Sequence, residues 1–172
     1  ATERSLHLDM RQFDQVVDLK PKQKQVTVQS GITWRKLQTA IDPEQLSVRI
    51  MQTYSNFTVG GTLSVNAHGR YIRDGPVIPS VVSFTIVLAD GTVKRASRTQ
   101  NPELFYGAIG GYGGLGVIAE VTLSLVPNVK VERRATKITL ADYPKYFEKN
   151  IEKNPKVIFH NVDIYLTDCA QG

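Results

Sequence analysis

A glycine-rich stretch at residues 55–69 places the strongest constraint on how this chain folds. It combines the pair Gly60-Gly61 with threonine, serine, asparagine and histidine residues. Because glycine has no Cβ, the backbone at such a pair can closely approach a ligand or another segment. Backbone N–H groups at the start of a helix also favour phosphate. The stretch therefore predicts a short helix within residues 58–66, entered through the two glycines, and a backbone suited to ligand binding.

A second glycine-rich stretch, residues 110–116, contains five glycines in seven positions. It leads directly into the apolar segment 117–126, which predicts a long buried strand that ends at Pro127. A helix stop alone does not require so many glycines. We interpret the two glycine stretches as contacts for the two ends of a long ligand, which favours a dinucleotide over a single phosphate.

Alternation of apolar and polar residues predicts most of the other strands before residue 127. The predicted strands are residues 5–10, 15–19, 25–30, 83–89 and 92–96. The first three are expected to form a small antiparallel meander. Asp90-Gly91 predicts the tight turn of a hairpin between the last two.

Two helices are predicted from their starting residues. The Thr33 hydroxyl is expected to cap a helix over residues 34–41, where Trp34 belongs to the apolar, core-facing side. Asn101 is expected to cap a second helix, which begins at Pro102 because proline is favoured in the first helical turn.

The composition describes a soluble globular chain. Of its 172 residues 41% are hydrophobic, which is enough for the core of one ordinary domain. The net charge of +5 comes from scattered basic residues, so we expect no nucleic-acid partner. No apolar run reaches the roughly 18–20 residues that cross a bilayer, so no transmembrane segment is expected. The compartment stays open, with the cytoplasm favoured.

A metal site is not expected. The chain has a single cysteine, Cys169, and its three histidines have no close spacing. Beyond Pro127 the sequence becomes more charged, and it predicts strands at residues 129–140 and 157–166 with a helix at 141–154. We therefore expect a first domain at residues 1–127 and the beginning of another at 128–172.

Five motifs in the first domain carry a family resemblance. In chain order they are VTVQSGITW, TVGGTLSVNAHG, ADG, NPELF and GGYGGLGVI. Over about residues 5–127 the chain resembles the FAD-binding domain of vanillyl-alcohol-oxidase-type flavoproteins, also called the PCMH-type domain. Within that group it is most similar to the FAD-linked sugar and aldonolactone oxidases and to decaprenylphosphoryl-ribose oxidase.

The resemblance implies an α+β fold and FAD as the cofactor. Residues 1–127 would be the second subdomain of a PCMH-type FAD-binding domain, a mostly antiparallel sheet flanked by short helices. Residues 128–172 would begin the cap domain that contacts the substrate. Family members also have a first subdomain with another glycine-rich loop, often of Arg-Gly-Gly-Gly-His type, which this sequence lacks. We therefore expect a partial domain, in which covalent or non-covalent attachment of the flavin stays open.

The resemblance also implies the cofactor contacts. The backbone of residues 58–61 would approach the FAD diphosphate and ribityl chain, and residues 65–69 would run along the cofactor. Thr53 matches a preceding contact, and the backbone of Val117 or, by preference, Ile118 would meet the adenine end. The predicted cofactor-binding residues are thus Thr53, Thr58, Val59, Gly60, Gly61, Val65, Asn66, Ala67, His68, Gly69, Val117 and Ile118.

No catalytic residue is assigned. His68 is the candidate for a side chain that lines the site, and its alternative role is that of a loop histidine bonded to backbone. The resemblance implies an FAD-dependent oxidoreductase that oxidises an alcohol carbon of a sugar, sugar alcohol or lactone by hydride transfer to flavin. Its partners would be that small-molecule substrate and an electron acceptor that stays open. The alternatives are a non-catalytic fragment and a nucleotide-binding module with no activity of its own.

Overall fold

The computed structural model describes residues 7–165, which divide into two compact units. Within the described residues, the first unit comprises those up to residue 69 together with 75–132. The second unit comprises residues 70–74 and those from 133 onward. The predicted division into domains 1–127 and 128–172 stays a prediction about the organisation of the protein.

The first unit is built on a six-stranded antiparallel sheet. Its strands are β1 Val16–Lys20, β2 Gln25–Gln29, β3 Leu46–Val48, β4 Val81–Val87, β5 Val93–Ser97 and β6 Val117–Pro127. The order across the sheet is β1-β2-β6-β4-β5, and β3 pairs with the end of β6. The eleven-residue β6 is therefore the central strand. A mostly antiparallel sheet with few short helices confirms the predicted α+β class.

The helices of the first unit follow the expected starting residues. They are α1 Trp34–Ile41, α2 Val59–Ser64 and α3 Pro102–Ala108. Short 3₁₀ turns occur at Pro21–Gln23, Asp42–Glu44 and Ile78–Ser80. Helix α1 buries Trp34, Leu37 and Ile41 completely, which confirms Trp34 as a core residue. Each such side chain contributes roughly 1.5–3 kcal/mol by leaving water.

The Thr33 cap of α1 forms as predicted. The Thr33 hydroxyl accepts a hydrogen bond of 3.2 Å from the Lys36 backbone N–H, one of the donors that lack a partner inside the helix. The Asn101 prediction was wrong in its mechanism. Asn101 has a φ of 50°, and its side-chain amide donates to the Arg95 carbonyl at 2.8 Å instead of capping α3.

Replacing Thr33 with alanine is expected to lower the free energy of unfolding by about 1 kcal/mol, because the Lys36 N–H loses its acceptor. The measurement is urea unfolding followed by circular dichroism. Thr39→Ala is the matched control, since the Thr39 hydroxyl lies on the exposed side of α1 and donates only to the Arg35 carbonyl within the helix. Equal unfolding free energies for the two variants would contradict a capping role.

The predicted strand at residues 5–10 was wrong where the structure describes it. Residues 7–10 form no strand. The Asp9 carboxylate accepts from the backbone N–H of Arg11, and the Phe13 N–H donates to the Met10 carbonyl at 2.9 Å, so local bonds form a turn. Residues 5 and 6 lie outside the described residues. In place of the expected three-stranded meander, β1 and β2 form a hairpin, and β2 pairs with β6 on its other side.

The second unit contains no strand among its described residues. The predicted strands at 129–140 and 157–166 were wrong at the described residues, and residue 166 lies outside them. The predicted helix at 141–154 is shorter, with α4 Tyr143–Tyr146 followed by the π-helical turn Phe147–Glu152. An alternating sequence forms a strand only when another backbone pairs with it. Residues 157–165 have only an isolated bridge, from Phe159 to Tyr71.

Side-chain contacts hold the second unit together. The Arg73 guanidinium donates to the Val157 and Asn154 carbonyls at 2.8 and 2.5 Å. The Tyr143 hydroxyl and His160 Nε2 are 3.1 Å apart. The Arg73 bonds satisfy two carbonyls that follow the π-helical turn, and the Tyr143–His160 contact joins the start of α4 to the segment around residue 160.

Candidate functional site

The glycine-rich stretch 55–69 forms helix α2 and the segments on either side of it. The first three N–H groups of α2 all bond within the protein. The Val59 N–H donates to the Ile32 carbonyl at 2.9 Å and the Gly60 N–H to the Ser30 carbonyl at 2.7 Å. The Gly61 N–H donates to the Thr58 hydroxyl at 3.1 Å. These three N–H groups are the expected donors to a diphosphate. In this structure two of them tie α2 to the segment that follows β2, and the third bonds to the Thr58 hydroxyl that caps the helix.

The two glycines of α2 have different environments. A Cβ added at Gly60 would lie 2.9 Å from Ser30 Cβ, so glycine is needed there for close packing. A Cβ added at Gly61 would meet only the Thr58 hydroxyl oxygen, at 3.0 Å. Gly61 is exposed. Gly61 is therefore the residue of the pair where a ligand can approach the backbone.

The strand residues predicted to contact the adenine end are linked to α2 through Ser30. The Ser30 carbonyl accepts from Gly60, and the Ser30 N–H donates to the Ala119 carbonyl at 2.8 Å. Ala119 directly follows Val117 and Ile118, which pair with Val87 and Ile86 of β4. The Ile118 side chain is buried, and the predicted contact through its backbone stays a prediction.

The two glycine-rich stretches lie in direct contact. The Gly110 N–H donates to the Leu63 carbonyl and the Tyr112 N–H to the Ser64 carbonyl, both at 2.9 Å. The last carbonyls of any helix need donors from outside it. The turn at 110–116 supplies them for α2, so the two stretches are adjacent in the structure. That they contact the two ends of a long ligand stays a prediction.

The segment after α2 has both structural and outward-facing residues. Asn66 has a φ of 45°, and its side-chain oxygen accepts from the Ile78 N–H at 3.3 Å. The Ala67 carbonyl accepts from the Val77 N–H at 2.8 Å. His68 is exposed, with Nδ1 3.2 Å from the Gly69 carbonyl, and Val65 is also exposed. Asn66 and Ala67 thus shape the loop, and His68 stays a candidate for lining the site.

A hydrogen-bonded network that the sequence analysis missed supports α2. The Trp34 indole N–H donates to the Thr62 hydroxyl at 2.8 Å and to Gln52 Oε1 at 3.0 Å. The Thr62 hydroxyl lies 2.6 Å from Gln52 Oε1. A buried tryptophan needs an acceptor for its N–H, which was the available signal. The network connects α1, α2 and the loop that contains Thr53.

The surface beside this network fits FAD in its chemistry. The backbone N–H groups of Thr53, Tyr54, His68 and Gly69 donate to no group in the described part of the chain. Tyr54 and Phe57 are 71% and 50% exposed and meet edge to face with ring centroids 6.3 Å apart. FAD presents diphosphate and carbonyl oxygens to donors and flat rings to apolar or aromatic surfaces. The free donors therefore lie in the loops around α2, and the helix itself holds them in place.

Two cavities of the first unit, about 420 and 280 Å³ in volume, are lined by other residues, around Asn101 and on the sheet around Thr27. Neither includes a residue of the stretch 55–69. No group of three possible metal ligands occurs among residues 7–165, and no helix there is long and apolar enough to span a membrane.

Residues 1–97 match the FAD binding domain family. The chain belongs to this family. The match confirms the resemblance predicted from the five motifs and FAD as the cofactor. In this FAD binding domain, the matched residues include α1, α2 and the loop with Gln52 and Thr53.

Curated relatives of this FAD binding domain are named as lactone oxidases and dehydrogenases. A mitochondrial L-galactono-1,4-lactone dehydrogenase of Arabidopsis thaliana is 34% identical over 90% of this chain and 25% of its own length. An L-gulonolactone oxidase of Mus musculus is 31% identical over 86% of this chain and 33% of its own length. A D-arabinono-1,4-lactone oxidase of Yarrowia lipolytica is 34% identical over 59% of this chain and 19% of its own length. The chain thus spans a third or less of each of these relatives.

Proposed function

We propose that this chain forms part of the FAD site of an oxidoreductase that oxidises an alcohol carbon of a sugar, sugar alcohol or lactone. The observation that carries the proposal is the family match over residues 1–97, joined to relatives named for aldonolactone oxidation. Bound FAD supplies the redox chemistry by accepting a hydride from the substrate. The residues of the chain bind and orient the cofactor.

The proposed cofactor contacts keep the predicted positions, with roles that follow from the geometry. Backbone N–H groups of Thr53, His68 and Gly69 would donate to FAD, since no group in the described part of the chain accepts from them. Gly61 would let the cofactor approach the first turn of α2. The remaining predicted contacts would act through backbone or through exposed side-chain atoms; they are Thr58, Val59, Gly60, Val65, Asn66, Ala67, Val117 and Ile118.

The substrate, the electron acceptor and the cellular location stay proposals. The substrate would be a small sugar-like alcohol or lactone, in line with the names of the relatives. Those names include both oxidases and dehydrogenases, so they favour neither oxygen nor a different molecule as the electron acceptor. A cytoplasmic location is proposed from composition alone, and some relatives are named as mitochondrial.

A second candidate is a chain that folds but has no activity by itself. The chain covers 25–33% of the length of the first two relatives, which favours this candidate for the 172 residues alone. The internal bonding of the first three N–H groups of α2 also limits how many donors α2 contributes.

The purified chain is expected to bind FAD. The measurement is its visible spectrum after incubation with FAD and removal of free cofactor, where flavin absorption should stay with the protein. A colourless chain that FAD does not titrate would contradict FAD binding by this chain. Tight binding of a mononucleotide without binding of FAD would instead support a nucleotide-binding module.

A further inference from the structure

The orientation of the Gln52 side-chain amide is fixed by its partners. Gln52 Oε1 lies 3.0 Å from Trp34 Nε1 and 2.6 Å from the Thr62 hydroxyl oxygen. An indole N–H can only donate, so the amide atom that faces it must be the oxygen. The same network is buried around Trp34 and Thr62, which are both 0% exposed. The Gln52 side chain is therefore held in one orientation before any ligand binds.

The other end of this amide is an accessible donor. Gln52 Nε2 carries two N–H groups and bonds to no described residue, whereas Oε1 has two partners. Gln52 is half-buried, and no described side-chain nitrogen or oxygen is both buried and unpaired. Nε2 therefore reaches the surface, next in sequence to Thr53 and beside α2 through Thr62.

We propose that Gln52 is a further FAD-binding residue whose Nε2 donates to an oxygen atom of the bound cofactor. This inference rests on the proposed function. Because the amide is already oriented, little side-chain entropy is lost when it binds. The free N–H groups of Thr53 and Tyr54 lie next to Gln52 in the chain, so three donors gather on one loop. In the alternative role, Gln52 only accepts hydrogen bonds from Trp34 and Thr62, and Nε2 does not contact the cofactor.

Gln52→Glu separates these two roles. The carboxylate keeps an oxygen for Trp34 and Thr62 but replaces both N–H donors with an acceptor. The variant is expected to bind FAD at least tenfold more weakly, measured as the Kd from flavin fluorescence titration, with a folded circular dichroism spectrum. Gln23→Glu is the matched control, because it makes the same charge change in the turn between β1 and β2. Its Kd should stay within twofold of that of the unaltered chain.

A second variant tests the same role if Gln52→Glu does not fold. Gln52→Met is neutral, similar in length and without N–H donors, and it is expected to weaken FAD binding by a comparable factor at a temperature where it is folded. A Kd within twofold of the unaltered chain in either folded variant would overturn the role of Gln52 and leave the proposed function intact. Failure of the unaltered chain itself to bind FAD would contradict FAD binding by this chain and overturn this inference with it.

Discussion

Replacing Gly116 with alanine is expected to destabilise the chain by about 3–5 kcal/mol, combining an unfavourable backbone conformation with a steric clash. Gly116 has a φ of 151°, and an added Cβ would lie 2.3 Å from the Val87 carbonyl oxygen. Val87, the last residue of β4, pairs with Val117, the first residue of β6, so the obstructing atom belongs to paired strand backbone. The measurement is the free energy of unfolding in urea, followed by circular dichroism.

Gly91→Ala is the matched control for Gly116→Ala. Gly91 also has a positive φ, of 82°, but an added Cβ would meet no atom within 4 Å. Gly91→Ala is expected to lower the free energy of unfolding by only about 1–2 kcal/mol, from the backbone conformation alone. The difference between the two variants reports the clash with Val87 together with the cost of the larger φ at Gly116. Equal losses of stability would show that the sheet accommodates a side chain at Gly116 and would contradict this account.

The sheet of the first unit was largely predictable because its strands have strong period-2 patterns. In β2, Val26 and Val28 are buried and alternate with half-buried polar residues. Strand β3 was missed because Leu46–Val48 is too short to show alternation, and its pairing with the end of β6 is a long-range contact. The alternation at 129–140 predicted a strand that does not form, because no described strand pairs with that segment.

The candidate site was predictable in its local features only. The Thr58 hydroxyl and the exposed Gly61 follow from the order of residues in one short segment. The bonds from the Gly60 N–H to Ser30 and from the Gly110 N–H to Leu63 join distant parts of the chain, and no spacing rule indicates them. Gln52 belongs to no glycine motif, and its oriented amide depends on the position of Trp34 in another helix.

Replacing Gly61 with valine is expected to weaken FAD binding by about 2 kcal/mol, roughly thirtyfold in Kd, because the new side chain occupies the surface proposed for the cofactor. Apart from the Thr58 hydroxyl at 3.0 Å, an added Cβ meets no atom, so the valine side chain extends outward. Valine also has a higher helix propensity than glycine, so α2 should stay folded. The measurement is the Kd from flavin fluorescence titration, with circular dichroism as the check on folding.

The control for Gly61→Val is Gly75→Val, at a glycine where an added Cβ would meet no atom within 4 Å. Gly75 lies outside the stretch 55–69, so its variant should bind FAD like the unaltered chain. A Gly61→Val protein that is folded and has an unchanged Kd would place the cofactor away from the first turn of α2. In that case the loop donors at Thr53, His68 and Gly69 would have to hold FAD without α2, and Gly61 would only relieve crowding at its own Thr58 cap.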